Sequence, residues 1–242
     1  MHYASCFSPL RLGGENVMKK LKCSLILFIS AWSLMPLTSS AKTTTIAFLV
    51  YDKMNVLDYA GPREVLSQVG FSLAEEKGGD KISAFTVGFP QKEIRAIEGT
   101  QIVADYGWGD AIPAADIIIV PGARDEDVPL DLRILVWLKE HAAANRQLMS
   151  VCTGAYFLGE AGLLNGKKAT THHLSFPRFK AQYPGVKLQE KVRYVEEKNI
   201  LTTAGVSAGI DGAFHLAARL FGLARAEKVA ELMEYRWVPG AR

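Results

Sequence analysis

A chain of 242 residues, 49% hydrophobic and 22% charged, has the composition of an ordinary globular protein and the length for one domain with a well-buried core. Its formal charge is +3, with lysines and arginines scattered rather than striped, and this excludes the basic face that a nucleic-acid partner needs.

The first element is a leader. Met18-Lys19-Lys20-Leu21-Lys22 is basic, Ser24 to Leu37 is apolar, and Thr38-Ser39-Ser40-Ala41 is small and polar. That order is the one a secretory signal peptide shows. The apolar run is short for a transmembrane span. Residues 1–41 therefore read as an N-terminal extension and signal peptide, and residues 42–242 as the mature domain. Cleavage is expected after Ala41, with export to the periplasm or beyond and no stable membrane insertion afterwards. Met18 makes a better start than Met1. Cys23 precedes the apolar run, which argues against a lipoprotein anchor. Loss of Cys6 and Cys23 leaves Cys152 as the single cysteine, so no internal disulfide forms. In an oxidising compartment an exposed lone thiol is a hazard unless it has a task. The alternative is an inert core cysteine.

Thr44 to Val50 reads as a buried strand. Gly61-Pro62 is expected to open a helix with Val65, Leu66 and Val69 on one face and Gly70 as its stop. Ser83 to Phe89 is a second strand, and Arg95 to Ala104, turning near Gly99, reads as a hairpin. Asp116 to Val120 is apolar on both faces, as a parallel strand covered by helices must be, and Pro121-Gly122 ends it. Pro129 to Ala144 is helical, with Leu132, Leu135, Val136 and Leu138 inward. Gln147 to Val151 is a strand, and a helix follows from Cys152 to about Leu164. Val192 to Thr203 holds two short strands around Lys198-Asn199. A helix over Ser207 to Phe221 turns Ile210, Phe214, Leu216, Ala217 and Leu220 inward, and a last helix runs from Ala224 to about Arg236. Strands alternating with helices predict an α/β fold on a mostly parallel sheet.

Cys152 falls at the carboxyl end of a strand, where open α/β sheets gather their functional groups. The small residues Thr153-Gly154-Ala155 permit a tight strand-to-helix turn, the logic of a nucleophile elbow. A helix N-terminus behind the sulfur favours negative charge. The expectation is a thiolate, since such positions bring a cysteine pKa from about 8.5 down to roughly 3.5–7.5.

The stretch "SVCTGAYFLGEAGLLNGKKATTHH" resembles the nucleophile region of the ThiJ/PfpI superfamily. "TIAFLVYDKMNVLDYAGPREVL", "ADIIIVPGA", "ATTHH" and "ILTTAGVSAGIDGAFHLA" fall in family order across the mature chain. The nearest branches are the isonitrile hydratases and the ligand-binding halves of related transcription regulators. The resemblance implies a flavodoxin-like three-layer sandwich and a homodimer, with no metal or organic cofactor. It assigns Cys152 as nucleophile and Asp58 as the acidic partner that moves a proton. Asp58 also suits a plain helix N-cap. Glu64, one turn away, reads as a solvated residue. Gly122, with the N–H groups of Cys152 and Thr153, is expected to form an oxyanion hole. The family commonly has Pro-Gly-Gly there and this chain has Pro121-Gly122-Ala123, an alanine where a positive φ would be costly. His172 matches the family's "TTH" histidine and is expected in the pocket. Thr153 stands where the peptidase branch has histidine, which argues against peptidase action.

His173 reads as a surface or capping residue, and His141 and His215 as ordinary helix residues. "GLLNGKK" at Gly162 to Lys168 lacks Walker-A spacing, and neither a Cys-x-x-Cys nor a metal-spaced histidine pair occurs. Asp125-Glu126-Asp127 reads as a solvated loop. No helix-turn-helix follows the sandwich, as a DNA-binding regulator would need. Three functions fit: hydration of a small isonitrile, periplasmic thiol sensing or ligand binding, and glyoxalase-like action on small dicarbonyls.

Overall fold

The computed structural model describes residues 41–75 and 79–240, so the expected leader lies outside the described residues except for Ala41. In chain order the elements are β1 (Thr43–Tyr51), α1 (Val56–Ala74), β2 (Lys81–Phe89), β3 (Glu93–Arg95), β4 (Gln101–Val103), β5 (Tyr106–Gly107), β6 (Ile117–Val120), α2 (Leu132–Ala143) and β7 (Gln147–Ser150). They continue with α3 (Ala155–Glu160), β8 (Lys168–Ala169), α4 (Phe176–Gln182), β9 (Lys187–Leu188), β10 (Tyr194–Glu197), β11 (Ile200–Thr203), α5 (Ala208–Phe221) and α6 (Leu223–Leu232). The main sheet has the order β10-β11-β7-β6-β1-β2-β5. Every neighbouring pair is parallel except β10–β11.

The strands separate two cores because side chains alternate between faces. Ala47, Leu49, Ile118, Val120 and Leu148 point to one face, with Tyr156 and Phe157 of α3 and Ile134 and Leu138 of α2. Ile46, Phe48, Ile117, Ile119 and Met149 point to the other, with Val65 and Leu66 of α1, Phe214 of α5 and Val229 of α6. Helices thus cover both faces, which explains why "DIIIV" is apolar throughout. The three-layer α/β sandwich and the mostly parallel sheet are as the sequence predicts, and so is the hairpin: β3 and β4 pair antiparallel, and Gly99 takes φ +92° at their turn.

Five helices differ from expectation: Leu220 of α5, expected inward, is exposed, α6 ends at Leu232 and not near Arg236, and the first three differ as follows. The first begins at Val56, six residues before Pro62, because Asn55 caps it: its Oδ1 accepts the N–H groups of Leu57 at 3.1 Å and Asp58 at 3.4 Å. Asp58 is therefore a buried first-turn residue, not the cap, and Pro62 sits inside the helix. Gly70 does not stop it. At Gly61 a Cβ would sit 2.8 Å from Ile210 Cγ1, so the missing side chain lets α1 and α5 approach. Helix α2 starts at Leu132 behind the cap Asp131 and buries Ile134, Leu135, Leu138 and His141, while Leu132 and Val136 face solvent. The segment after Cys152 opens as a 3-10 turn, and α3 ends at Glu160, where Gly162 at φ +70° turns the chain.

Replacing Asn55 by alanine removes the acceptor for two N–H groups. The expected cost is about 1 kcal/mol of stability, read as a lower denaturation midpoint.

Candidate active site

Cys152 sits where β7 ends, beside the carboxyl ends of β6 and β11. Its φ is +58°, the left-handed region that a non-glycine residue adopts only under constraint. The constraint is visible. Its N–H donates to Ala204 O at 3.1 Å, and its carbonyl accepts the Thr171 hydroxyl at 2.9 Å. A Cβ at Gly154 would sit 2.9 Å from Pro121 O, so only glycine lets the turn close against the β6 loop. This is the elbow expected from the small residues.

Asp58 reaches the sulfur from the first turn of α1. Its Oδ2 accepts the Gly122 N–H at 2.9 Å. Its Oδ1 is buried and takes no N–H or O–H donor, while the carboxyl shares a hydrogen bond with the Cys152 thiol. Burial pushes Asp58 up to about 7 against the Gly122 and Cys152 hydrogen bonds, and the charge of Glu98 adds to the rise. Burial, then the Asp58 charge, push the Cys152 thiol up to about 12, against the backbone N–H groups of Thr153 and Val206. The expected thiolate is thus corrected: at neutral pH the proton stays on sulfur. Only 6% of Cys152 is exposed, and α3 is too short and too late to offset that burial.

The expected oxyanion donors are also rearranged. Gly122 N–H is spent on Asp58 and Cys152 N–H on Ala204, so neither points into open space. The N–H groups that face the sulfur are those of Thr153 and Val206. Gly122 acts instead as a strap: its carbonyl accepts Asn55 N–H at 2.8 Å, so its two peptide groups bind the start of α1. Thr153 holds the next residue from the other side. Its hydroxyl accepts Ala123 N–H at 2.8 Å and donates to Ala123 O at 2.6 Å. Ala123 stays outside the left-handed region, so alanine in place of the family's glycine carries no backbone penalty. Tyr51, fully buried, pins the same loop through its hydroxyl on Pro121 O at 2.9 Å.

A cavity of about 410 Å³ opens above Cys152, lined by Asn55, Ile97, Ala123, Thr153, His172, Leu174, Arg178 and Val206 among others. His172 is in the pocket wall as expected, yet it is not among the groups that bond the sulfur. Its Nδ1 accepts Leu174 N–H at 3.3 Å, so His172, not His173, caps the turn over residues 173–175. Burial, then His173, lowers its pKa and keeps it neutral. The acidic run is not simply solvated. Asp125 accepts the Ser175 hydroxyl at 2.6 Å and the Tyr156 hydroxyl at 3.0 Å, and Asp127 pairs with Lys53 at 2.7 Å. Glu64 is exposed, as expected. Among the described residues, no cluster of three or more His, Cys, Asp or Glu could hold a metal ion. Sequence reasoning missed Val206 altogether, since nothing in "TTAGVSAG" marks a valine for a positive φ.

The DJ-1/PfpI family matches residues 44–219. The chain belongs to that family. An isonitrile hydratase from Pseudomonas putida is 33% identical over 199 residues, 80% of this chain and 79% of that protein. The HTH-type transcriptional regulator GbdR of Pseudomonas aeruginosa is 27% identical over 192 residues, and the match covers 79% of this chain but 50% of the regulator. Drosophila melanogaster DJ-1beta superposes with a TM-score of 0.70 at 16% identity, over 81% of this chain and 100% of DJ-1beta. That likeness carries the flavodoxin-like fold alone. The family therefore includes enzymes and regulators on one scaffold, and the site has to argue the function.

The thiol makes a direct test. Iodoacetamide alkylation of Cys152 is expected to keep rising with pH past about 8.5, the free-cysteine value. Asp58→Asn removes the repelling carboxylate, so the midpoint should move down. A wild-type midpoint at or below that of free cysteine would contradict the assignment.

Proposed function

We propose that the chain is a cysteine-dependent hydratase that converts a small isonitrile to an N-substituted formamide. One observation carries the reading: the buried Asp58 carboxyl is hydrogen-bonded to the buried Cys152 thiol, and Cys152 lines a small pocket. The 33% identity to an isonitrile hydratase supports the reaction class.

The chemistry follows from that hydrogen bond. Burial raises both groups and the Asp58 charge raises the thiol further, so the thiol holds its proton while the carboxyl ionises first. As Sγ bonds the terminal carbon of the isonitrile, Asp58 takes the thiol proton and delivers it to the same carbon. The product is a thioimidate on Cys152. Water then adds to that carbon, one of its protons going to nitrogen. The C–S bond breaks, the formamide leaves, and the remaining hydroxyl proton returns to sulfur through Asp58. Atoms balance: isonitrile plus water gives formamide, and Cys152 is regenerated. The N–H groups of Thr153 and Val206 stabilise charge on sulfur as it attacks and leaves. His172, neutral, forms part of the wall that positions the substrate.

The thiol-sensor reading is the weaker one. Oxidation to a sulfinate starts from thiolate, and burial with Asp58 keeps the proton on sulfur. Dicarbonyls such as methylglyoxal would meet the same nucleophile and belong in the same assay.

Cys152→Ala should abolish isonitrile turnover. Asp58→Asn removes the charge that raises the thiol and leaves no group to return the proton to carbon, so the rate should fall by about 10²–10⁴. Wild-type kcat/KM should rise with pH up to about 7, where Asp58 ionises, and then level off. Below that point both groups are protonated and the carboxyl cannot accept. A folded wild type that turns over neither isonitriles nor methylglyoxal would sink the enzyme reading.

Export and assembly belong to the same proposal: a mature periplasmic or secreted protein acting as a homodimer on a small molecule. Strand β1 begins at Thr43, directly after the expected cleavage site, and Lys42 N lies 2.9 Å from Asp80 Oδ1. A new ammonium at Lys42 would meet that carboxylate. N-terminal sequencing of exported protein should read from Lys42; a product starting at Met1 or Met18 defeats the expectation.

A further inference from the structure

Val206 is the most constrained part of the site. Its φ is +47°, and a β-branched residue in that region is a genuine outlier. Such a conformation persists only where its surroundings over-determine it. Its N–H nevertheless faces the Cys152 sulfur. Turn bonds alone, such as Gly209 N–H to Val206 O at 3.2 Å, do not explain why the strain is kept.

The explanation lies outside the pocket. Arg193 grips the turn at both ends. Its carbonyl accepts Ala204 N–H at 2.9 Å, and its Nη2 donates to Ser207 Oγ at 3.1 Å. The same guanidinium donates through Nε to Asp211 Oδ2 at 2.6 Å. The other oxygen of Asp211 accepts the Tyr235 hydroxyl at 3.1 Å. Tyr235 stacks on fully buried Phe214, with ring centroids 5.6 Å apart. The side chain of Asp211 is 13% exposed and that of Arg193 41%, so solvent weakens the charge energy and leaves the geometric restraint. Three stretches distant in sequence meet here: the loop before β10, the start of α5 and the chain after α6.

We infer that Arg193, Asp211 and Tyr235 are positioning residues, a clamp behind the pocket that holds the Val206 N–H on the Cys152 sulfur. None of the three touches a reacting atom. The clamp acts on the thiol whatever the substrate, so its test stands apart from the isonitrile reading.

The thiol is titrated by its ultraviolet thiolate absorbance in an Asp58→Asn background, where the carboxylate that raises its midpoint is gone. Arg193→Met and Asp211→Asn are each added, with thermal unfolding as the control for folding. Charge alone would move the two midpoints in opposite directions: losing a cation raises a thiol pKa, and losing an anion lowers it. Loss of the clamp raises both, by about one unit, or tenfold less thiolate at a fixed pH. Arg193→Lys should recover part of the shift. Opposite shifts, or none in folded variants, overturn the inference. If the ion-pair variants do not fold, Tyr235→Phe removes one hydroxyl only. A smaller upward shift then supports the clamp and an unchanged midpoint overturns it. Absence of isonitrile turnover in wild type would sink the functional reading and leave this titration untouched.

Discussion

The structure is organised around one buried carboxyl. Asp58 is fully buried, and an isolated carboxylate in such a place is costly. It is tolerated because one oxygen takes the Gly122 N–H and the group shares a proton with Cys152. The same burial that penalises the ion brings its pKa near neutrality, which is where a group that must both take and give a proton works best. Removing water from the pair raises the pKa of both groups and favours the protonated thiol.

That pair depends on a frame of backbone bonds rather than on many side chains. The sheet brings the ends of β1, β6, β7 and β11 to one edge, and each supplies a loop. The loop after β6 is held by Asn55 and Asp58 on one side, by Thr153 on the other and by Tyr51 beneath. The loop after β11 accepts Cys152 N–H and returns the Val206 N–H to the sulfur. Two non-glycine residues at positive φ thus meet at the sulfur: Cys152, which carries it, and Val206, whose N–H bonds it. Strain at both is sustained by bonds made elsewhere, as functional turns commonly require.

Relatives that include a hydratase, a transcription regulator and DJ-1 share this sandwich. The match covers only half of the regulator, so the two proteins differ in what lies outside the sandwich as well. Here the strap carries Ala123, tied by the Thr153 hydroxyl, and the far wall carries His172, Leu174 and Arg178. A threonine after the cysteine thus has a mechanical task, bracing the strap, that a histidine in its place could not perform in the same way.

The sequence by itself determined the layers, the strand order's parallel character and the elbow. Apolar runs such as "DIIIV" are legible because a strand covered on both faces leaves no polar position, and Cys152 is legible because the residues after it are small. Asp58, Gly122, Thr153 and His172 were found through family spacing, and all of them come to the site. Tertiary structure alone decided what each does. The start of α1 was misread because Pro62 looks like a first-turn signal, while Asn55 caps seven residues earlier. The donors were misassigned because whether an N–H points at sulfur or at another loop depends on contacts between segments far apart in the chain. The protonation of Cys152 was misjudged for the same reason. A local motif specifies a turn and a helix N-terminus, but the desolvation that outweighs them comes from burying the sulfur among segments far apart in the chain, and no local pattern encodes that burial.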